Sequence, residues 1–281
     1  MPVGIPRVEI LGVGVSAVDM ESAISEIRRW IREEERHYVC VTGVHGIMEC
    51  QRDPELKQIH NRSGLTTPDG MSTVWAAHFA GAPSTTRVYG PELMPELCRH
   101  GAEEGWRMFL YGGAPGVPEE LEARLVDIAP GLAVVGTYSP PYRDLTPEED
   151  AEVVERINRA QPDIVWVGLS TPKQERWMAL HRSVLNAPAL IGVGAAFDLL
   201  TDRVKQAPPW IRSHGLEWAY RILQEPRRLW RRYFDAIPRY VWANLRKPPR
   251  LVESWELTDL GVEKSVARAG ERERNGEGHP C

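Results

Sequence analysis

The chain has 281 residues, of which 42% are hydrophobic and 26% charged. That composition excludes a fibrous or low-complexity protein, and the length leaves room for one large α/β domain with a sizeable core. The net charge of −5 conceals an asymmetry: residues 203–250 hold twelve Lys/Arg and three Asp/Glu, so this block carries +9 and the remainder −14. An anionic partner is expected for it, with nucleic acid, phospholipid headgroups and a diphosphate all compatible.

No apolar stretch is long enough to cross a bilayer. The opening residues, interrupted by Pro2, Gly4, Pro6, Arg7 and Glu9, form no signal peptide. Cys40, Cys50, Cys98 and Cys281 are scattered without CxxC spacing, which argues against a zinc site or redox pair. A protein made and kept in the reducing cytoplasm is the expectation.

In chain order, apolar runs at Val8–Val15, Tyr38–Val41, Met108–Tyr111, Ala133–Thr137, Ile164–Leu169 and Ala189–Val193 read as strands. Helical patterns fall at Ser16–Glu35, Pro91–Glu104, Val117–Ile128, Pro147–Ala160 and Pro172–His181, and Met71 reads as a further helix start. Such alternation predicts a Rossmann-like α/β fold, a parallel sheet with helices on both faces. Thr146-Pro147 with Glu149 reads as an N-cap, and Thr171-Pro172 with Gln174 as a shorter version. Near Arg203 the character changes. The expected division is an α/β body over 1–203, a basic, aromatic-rich helical appendage over 204–250 and a polar, largely disordered tail over 251–281.

Ligands of open α/β sheets bind at the carboxyl ends of the strands. Polar, Gly-rich segments fall there: Thr42-Gly-Val-His45-Gly, Thr67-Pro-Asp69-Gly, Tyr111-Gly112-Gly113-Ala-Pro-Gly, Gly168-Leu-Ser-Thr-Pro-Lys-Gln174-Glu175 and Gly192-Val-Gly194-Ala-Ala-Phe-Asp. Together they suggest a phosphate-bearing ligand met by backbone N–H groups, with Gly112, Gly113, Gly168 and Gly194 as nucleotide-binding candidates. Each alone is equally a tight turn. Asp69 reads first as a cap or turn residue, and otherwise as a general base aimed into the cleft. His45 is a second polar candidate or a structural histidine. Glu175 reads as a first-turn acid of its helix, and Gln174 as a sugar contact.

Several motifs carry a resemblance: Thr67-Pro-Asp-Gly, Arg87-Val-Tyr-Gly, Phe109-Leu-Tyr-Gly-Gly, Thr171-Pro-Lys-Gln-Glu, Gly192-Val-Gly-Ala-Ala-Phe-Asp, Gln206-Ala-Pro and Gly215-Leu-Glu-Trp-Ala-Tyr-Arg-Ile-Leu-Gln-Glu-Pro-Arg-Arg-Leu-Trp-Arg. In this order, from about Val8 to Arg232, the chain resembles the WecG/TagA/CpsF family of bacterial glycosyltransferases. The resemblance implies transfer, with inversion and without a metal cofactor, of N-acetylmannosamine or a related sugar from a UDP donor to an undecaprenyl-diphosphate-linked saccharide. It implies Asp69 as the base, Thr42, Arg87 and Gln174 as substrate contacts, and Arg221, Arg228 and Arg231 as arginines that the appendage brings to the site. Many members carry Thr-x-Asn in the first loop. Here the run is Thr42-Gly43-Val44-His45, which leaves the donor sugar open, with His45 in a position to replace the Asn.

The appendage suits that role. Arg228, Arg231 and Arg232 share one helix face and Leu229, Trp230, Tyr233 and Phe234 supply the opposite one, as at an interface with anionic lipid; a helix packing its aromatics into the core gives the same pattern. Guanidinium groups can neutralise a departing diphosphate where no clear Asp-x-Asp pair offers a metal site, Asp198 and Asp202 being the doubtful candidate. Dimers or larger assemblies are compatible with exposed aromatics there. Two other readings compete. A soluble nucleotide-sugar epimerase or dehydrogenase needs a dinucleotide fingerprint, which Gly12-Val-Gly14-Val-Ser-Ala17 does not complete. A non-catalytic membrane or nucleic-acid binding module leaves the strand-end loops unexplained. Truncation near Lys205 separates the readings, since the first expects a folded body without transfer.

Overall fold

The computed structural model describes residues 5–208, 211, 220, 223 and 226–255, with 226–235 described as backbone only. Its elements are β1 (Arg7–Ile10), β2 (Val13–Ser16), α1 (Met20–Glu33), β3 (His37–Thr42), α2 (Val44–Arg52), α3 (Pro54–Arg62), β4 (Leu65–Pro68), α4 (Met71–Phe79) and α5 (Gly90–Glu104). There follow β5 (Arg107–Gly112), α6 (Val117–Ile128), β6 (Ala133–Tyr138), α7 (Pro147–Ala160), β7 (Ile164–Gly168), α8 (Lys173–His181), β8 (Ala189–Gly192), α9 (Ala196–Leu200), α10 (Pro226–Arg246) and β9 (Arg250–Val252).

Six strands form the central parallel sheet in the order β4-β3-β8-β7-β5-β6. Four-residue and longer apolar runs such as Ile164–Val167 are wholly buried because both faces are covered. On one face α1, α5 and α6 bring Ile27, Trp30, Leu93, Leu97, Leu121 and Leu125 to the core. On the other, α7 and α8 contribute Val153, Ile157 and Met178. The expected α/β, Rossmann-like architecture is the observed one. Local chemistry sets the element ends: Asp19 and Ser22 make a capping box for α1, and Thr146 and Glu149 make the expected one for α7.

The first apolar run departs from expectation. Val8–Val15 is two strands, because Leu11 (φ 53°) and Gly12 (φ 84°) both adopt the left-handed backbone of a tight hairpin turn. The hairpin lies outside the parallel sheet, in a three-stranded sheet of order β2-β1-β9. Gly12-Val-Gly14 therefore sits in an antiparallel hairpin and cannot be a phosphate-binding strand-to-helix turn, which removes the dinucleotide fingerprint. Gly14 is required by packing, since a Cβ there would meet the Trp255 ring at 2.6 Å. The expected tail also starts later than 251: Leu251 and Val252 pair with Val8 and Arg7.

A second core joins this hairpin to the helices beside it, with Val8, Ile10, Val13 and Val15 packing on Ile47, Leu56, Ala77, Ala236 and Tyr240 of α2, α3, α4 and α10. Arg7, nearly fully buried, stitches it together. Its guanidinium donates to the carbonyls of Ser63, Gly64 (3.0 Å), Gly14 (3.4 Å) and His60 (3.4 Å) and lies 5.6 Å from the Trp255 ring centroid. At the other end Glu9 holds the chain's return, accepting from Lys247 (2.6 Å) and Arg250 (2.6 and 2.9 Å). Burial pushes the Glu9 carboxyl up, and the two cations outweigh it, so it titrates below the usual range.

His60, also in this layer, is fully buried with neither ring nitrogen hydrogen-bonded. Burial, and then the Arg7 charge, lowers its pKa to about 4. The unfolded chain protonates this group near 6.5 while the fold keeps it neutral. Stability is therefore intact above that pH and falls as pH drops from about 6.5 to about 4, by about 3 kcal/mol in all. Urea unfolding at pH 7.5 and 4.5 should show a decline about 2–3 kcal/mol smaller in His60→Leu than in the wild type. Equal declines would assign the acid sensitivity to other groups.

Candidate active site

The carboxyl edge of the sheet gathers most of the residues singled out by sequence. Thr42 ends β3 in register with Pro68 of β4, and the Asp69 N–H donates to the Thr42 carbonyl at 2.9 Å. The next residues, Gly43 and Gly70, open α2 and α4. Asp69 does not act as the expected cap: Gly70 occupies the N-cap of α4 without a side-chain bond to the helix. The half-buried Asp69 carboxylate instead lies beside Gly43, where an added Cβ would stand 3.8 Å from Oδ2. His45 is half-buried in the first turn of α2. Arg87 reaches the same corner because the Val88 N–H bonds to the Pro68 carbonyl and extends the edge beyond β4. Its guanidinium pairs with Glu92 (2.8 Å) and covers the Tyr89 ring at 4.6 Å.

Gly46 was not singled out, yet it fixes Thr42. A Cβ at Gly46 would stand 2.1 Å from Thr42 Oγ1, so only glycine in α2 leaves the hydroxyl where it is. Gly46→Ala is expected to rotate Thr42 and lower transfer by roughly tenfold or more, the scale of one well-placed hydrogen bond. Added to Thr42→Ala, it should cost little further activity, because the clash is gone. Full additivity would show that Gly46 acts elsewhere.

Two and three strands along the edge, roughly 10 and 14 Å from β4 at ordinary strand spacing, lie the ends of β8 and β7. Gln174 sits in the first turn of α8 and is 2% exposed. The Thr171-Pro172 cap reading is not what forms there. Pro172 holds the N-cap position with no side-chain bond, and the Thr171 hydroxyl donates to Glu175 Oε1 at 2.8 Å. Glu175 is the expected first-turn acid of α8 and is fully buried, and burial raises its pKa. A stack of rings seats α8: Trp177 lies on Tyr111 (4.2 Å) and His181 (4.4 Å), and His181 bonds Asp150 at 2.9 Å.

The glycines divide by role. Gly112 and Gly168 are opposite each other across β5 and β7, and a Cβ on Gly112 (φ 130°) would stand 2.5 Å from the Gly168 carbonyl oxygen. A Cβ on Gly168 would meet the Phe197 ring at 2.7 Å. Close packing thus accounts for both. The Gly113 N–H donates to the Gly168 carbonyl at 3.0 Å and is not offered to a phosphate. Gly194 (φ 51°) is half-exposed and lies over the Gln174 side chain.

The appendage meets this corner through α10, which packs against α2 and, by Tyr240 Oη to the Ser72 carbonyl (3.4 Å), against the start of α4. Arg228 and Arg231 lie in its first turns, and their side chains, like those of Leu229, Trp230, Arg232, Tyr233 and Phe234, fall outside the described residues, as does Arg221. Among the described residues no three His, Cys, Asp or Glu side chains are grouped to hold a metal ion, and Asp202 is paired with Arg124 at 2.8 Å. No described helix is long and apolar enough to cross a membrane.

A carboxylate, a hydroxyl and a guanidinium thus share one corner of the sheet's carboxyl edge, the place where open α/β sheets bind ligands, and a buried amide lies farther along it. The profile of the glycosyl transferase WecG/TagA/CpsF family matches residues 8–253. The chain belongs to this family, and it is a glycosyltransferase. Family membership thus extends from the hairpin through β9. Among relatives is the N-acetylglucosaminyldiphosphoundecaprenol N-acetyl-beta-D-mannosaminyltransferase of Bacillus spizizenii, 29% identical over 81% of this chain and 86% of the relative. Proteins of the same name from Bacillus subtilis (29% identical, covering 70% and 74%) and Staphylococcus aureus (26%, covering 84% and 91%) are similar over comparable spans.

Proposed function

We propose that this WecG/TagA/CpsF member moves a sugar, with inversion, from a UDP-sugar donor to a saccharide carried on a polyprenyl diphosphate in bacterial surface polysaccharide synthesis. The carrying observation is that Asp69, Thr42 and Arg87 share a corner of the sheet's carboxyl edge, with Gln174 farther along the same edge, beside the helix whose first turns hold Arg228 and Arg231. The relatives' names, which specify an N-acetylglucosaminyl-diphosphoundecaprenol acceptor and an N-acetylmannosaminyl group, support the acceptor class.

In this reading Asp69 takes the proton of the acceptor hydroxyl. The oxygen attacks the anomeric carbon as its bond to the UDP oxygen breaks on the opposite face, and the electron pair leaves with UDP. Thr42, Arg87 and Gln174, with His45, hold the sugars. Gly112, Gly113, Gly168 and Gly194 shape the floor on which the nucleotide lies. Arg221, Arg228 and Arg231 neutralise the diphosphate in place of a metal.

The acceptor's lipid places the reaction at a membrane, here the anionic inner face. Both packed helices expose apolar side chains: Trp75 (55%) and Phe79 (75%) on α4, Trp242 (57%) and Leu245 (72%) on α10. Arg246 lies over the Trp242 ring at 4.4 Å, a pairing of aromatic and cation suited to headgroups. The test is UDP release from a panel of UDP-sugars with a polyprenyl-diphosphate saccharide in anionic liposomes. Release requiring both one donor and the lipid acceptor supports the reading. Folded protein that binds the liposomes and releases no UDP with any donor overturns it.

A further inference from the structure

We infer that Glu175 is a positioning residue that locks the Gln174 amide with its oxygen toward the strand-end cleft, so that Gln174 recognises a hydrogen-bond donor, a hydroxyl or an acetamide N–H, on the transferred sugar. The inference rests on the proposed reading in one respect, that the donor sugar occupies this edge. Gln174 Nε2 donates to Glu175 Oε1 at 3.1 Å, and the Thr171 hydroxyl donates to the same oxygen at 2.8 Å. An oxygen that already accepts from Thr171 stays an acceptor, so the amide presents its NH2 to it. Rotating the amide would set two acceptor oxygens against each other. That leaves Gln174 Oε1 as the buried atom of this side chain without a hydrogen bond. Buried polar atoms are rarely left so, and one beside a binding edge marks the place of a ligand's donor group.

Oε1 is enclosed in the free protein, and the backbone nearest it on the strand-end side is glycine, so a ligand would reach it by a small displacement of Gly194. Gly192 and Gly194 border the amide: Cβ atoms there would stand 3.1 Å from Nε2 and 3.4 Å from Oε1 respectively. Gly194, in the left-handed region and half-exposed, is the glycine on the Oε1 side of the amide. The Glu175 carboxyl is well placed for a fixed role, since it is fully buried and α8 is seated by Trp177 and His181. Arg176, salt-bridged to Asp53 and to Glu55 (2.6 Å), ties the same turn to α3.

The experiment measures kcat and donor KM with UDP-N-acetylmannosamine, UDP-N-acetylglucosamine and their deoxyfluoro analogues, in the wild type, Glu175→Leu, Glu175→Gln and Gln174→Met. A fluorine accepts but does not donate. In the wild type, at least one fluorine-replaced position, or exchange of the acetamide for an O-acetyl group that lacks the N–H, should raise KM about tenfold or more. That penalty should vanish in Gln174→Met. Glu175→Leu should raise KM for the parent sugar about tenfold with kcat within threefold, and Glu175→Gln, whose amide oxygen can accept both bonds, should recover most of it. If no analogue is penalised in the wild type, or if Gln174→Met keeps the penalty, the inference is wrong; this arm does not need Glu175→Leu to fold. Absence of transfer by the wild type with every donor would instead overturn the proposed function itself.

Discussion

Asp69→Asn is expected to lower kcat by roughly 10²–10⁴-fold, the usual contribution of a positioned general base, with donor KM changed little. The substitution is isosteric and leaves Gly70 as the N-cap of α4, so the thermal midpoint should move by no more than about 2 °C. The backbone bond from Asp69 to the Thr42 carbonyl is untouched, so the strand ends stay in place. UDP release under saturating donor and lipid acceptor, with a parallel melt, is the measurement. Near wild-type turnover from a folded variant would remove Asp69 as the base. Lost turnover with a collapsed melt would show that the carboxylate is structural.

Arg7→Met is expected to cost about 3 kcal/mol or more of folding free energy. Two effects oppose each other. Removing a buried guanidinium relieves its desolvation, which is large enough here to lower its pKa to about 10. Removing it also orphans carbonyls of Ser63 and Gly64 at the α3–β4 turn, with weaker losses at His60 and Gly14. Each buried acceptor left unpaired costs about 1–3 kcal/mol, and methionine offers no donor, so the loss wins. Urea unfolding reads the difference, and an unchanged midpoint would mean that desolvation cancels the bonds. His60 supplies a second readout. Burial remains its main constraint, but without the Arg7 charge its pKa should rise above the wild-type value, which imidazole NMR can follow.

The parallel sheet was legible because strands covered on both faces are near-continuous apolar runs and the helices between them carry caps. β6, α6 and α7 lie within a residue of where sequence put them. The hairpin was not legible, because Leu-Gly is a weak turn signal and Val8 to Val15 has the apolar density of one buried strand. β4 was missed because Leu65-Thr-Thr-Pro has few apolar residues; its threonines are buried all the same, at the sheet's edge beneath the hairpin layer. α2 and α3 were hidden by the Gly-rich opening of the first and the Asp53-Pro54 break between them. At the site, Asp69, Thr42 and Arg87 were found from short motifs and do share a corner. Glu175 was visible as a first-turn acid but not as a buried one, since nothing in a single sequence marks a carboxylate as buried. Gly46 stood only as the last residue of a Gly-rich segment, because its role is a distance to a side chain one turn away.

The pairing of β1 with β9, clamped by Glu9, has a consequence for the topology of the polypeptide. Residues near the two ends of the described chain are hydrogen-bonded neighbours, so those ends lie side by side. Truncation near Lys205 would therefore remove more than a basic flap, since it strips a strand from the hairpin sheet and Ala236 and Tyr240 from its core. A circular permutant respects that adjacency. Linking residue 255 to residue 5 and reopening the chain in the exposed segment 141–144, beyond β6 and far along the sheet from Asp69, keeps every strand pairing and every helix contact. In such a molecule the arginine-bearing segment would lie in the middle of the sequence, held to the body on both sides.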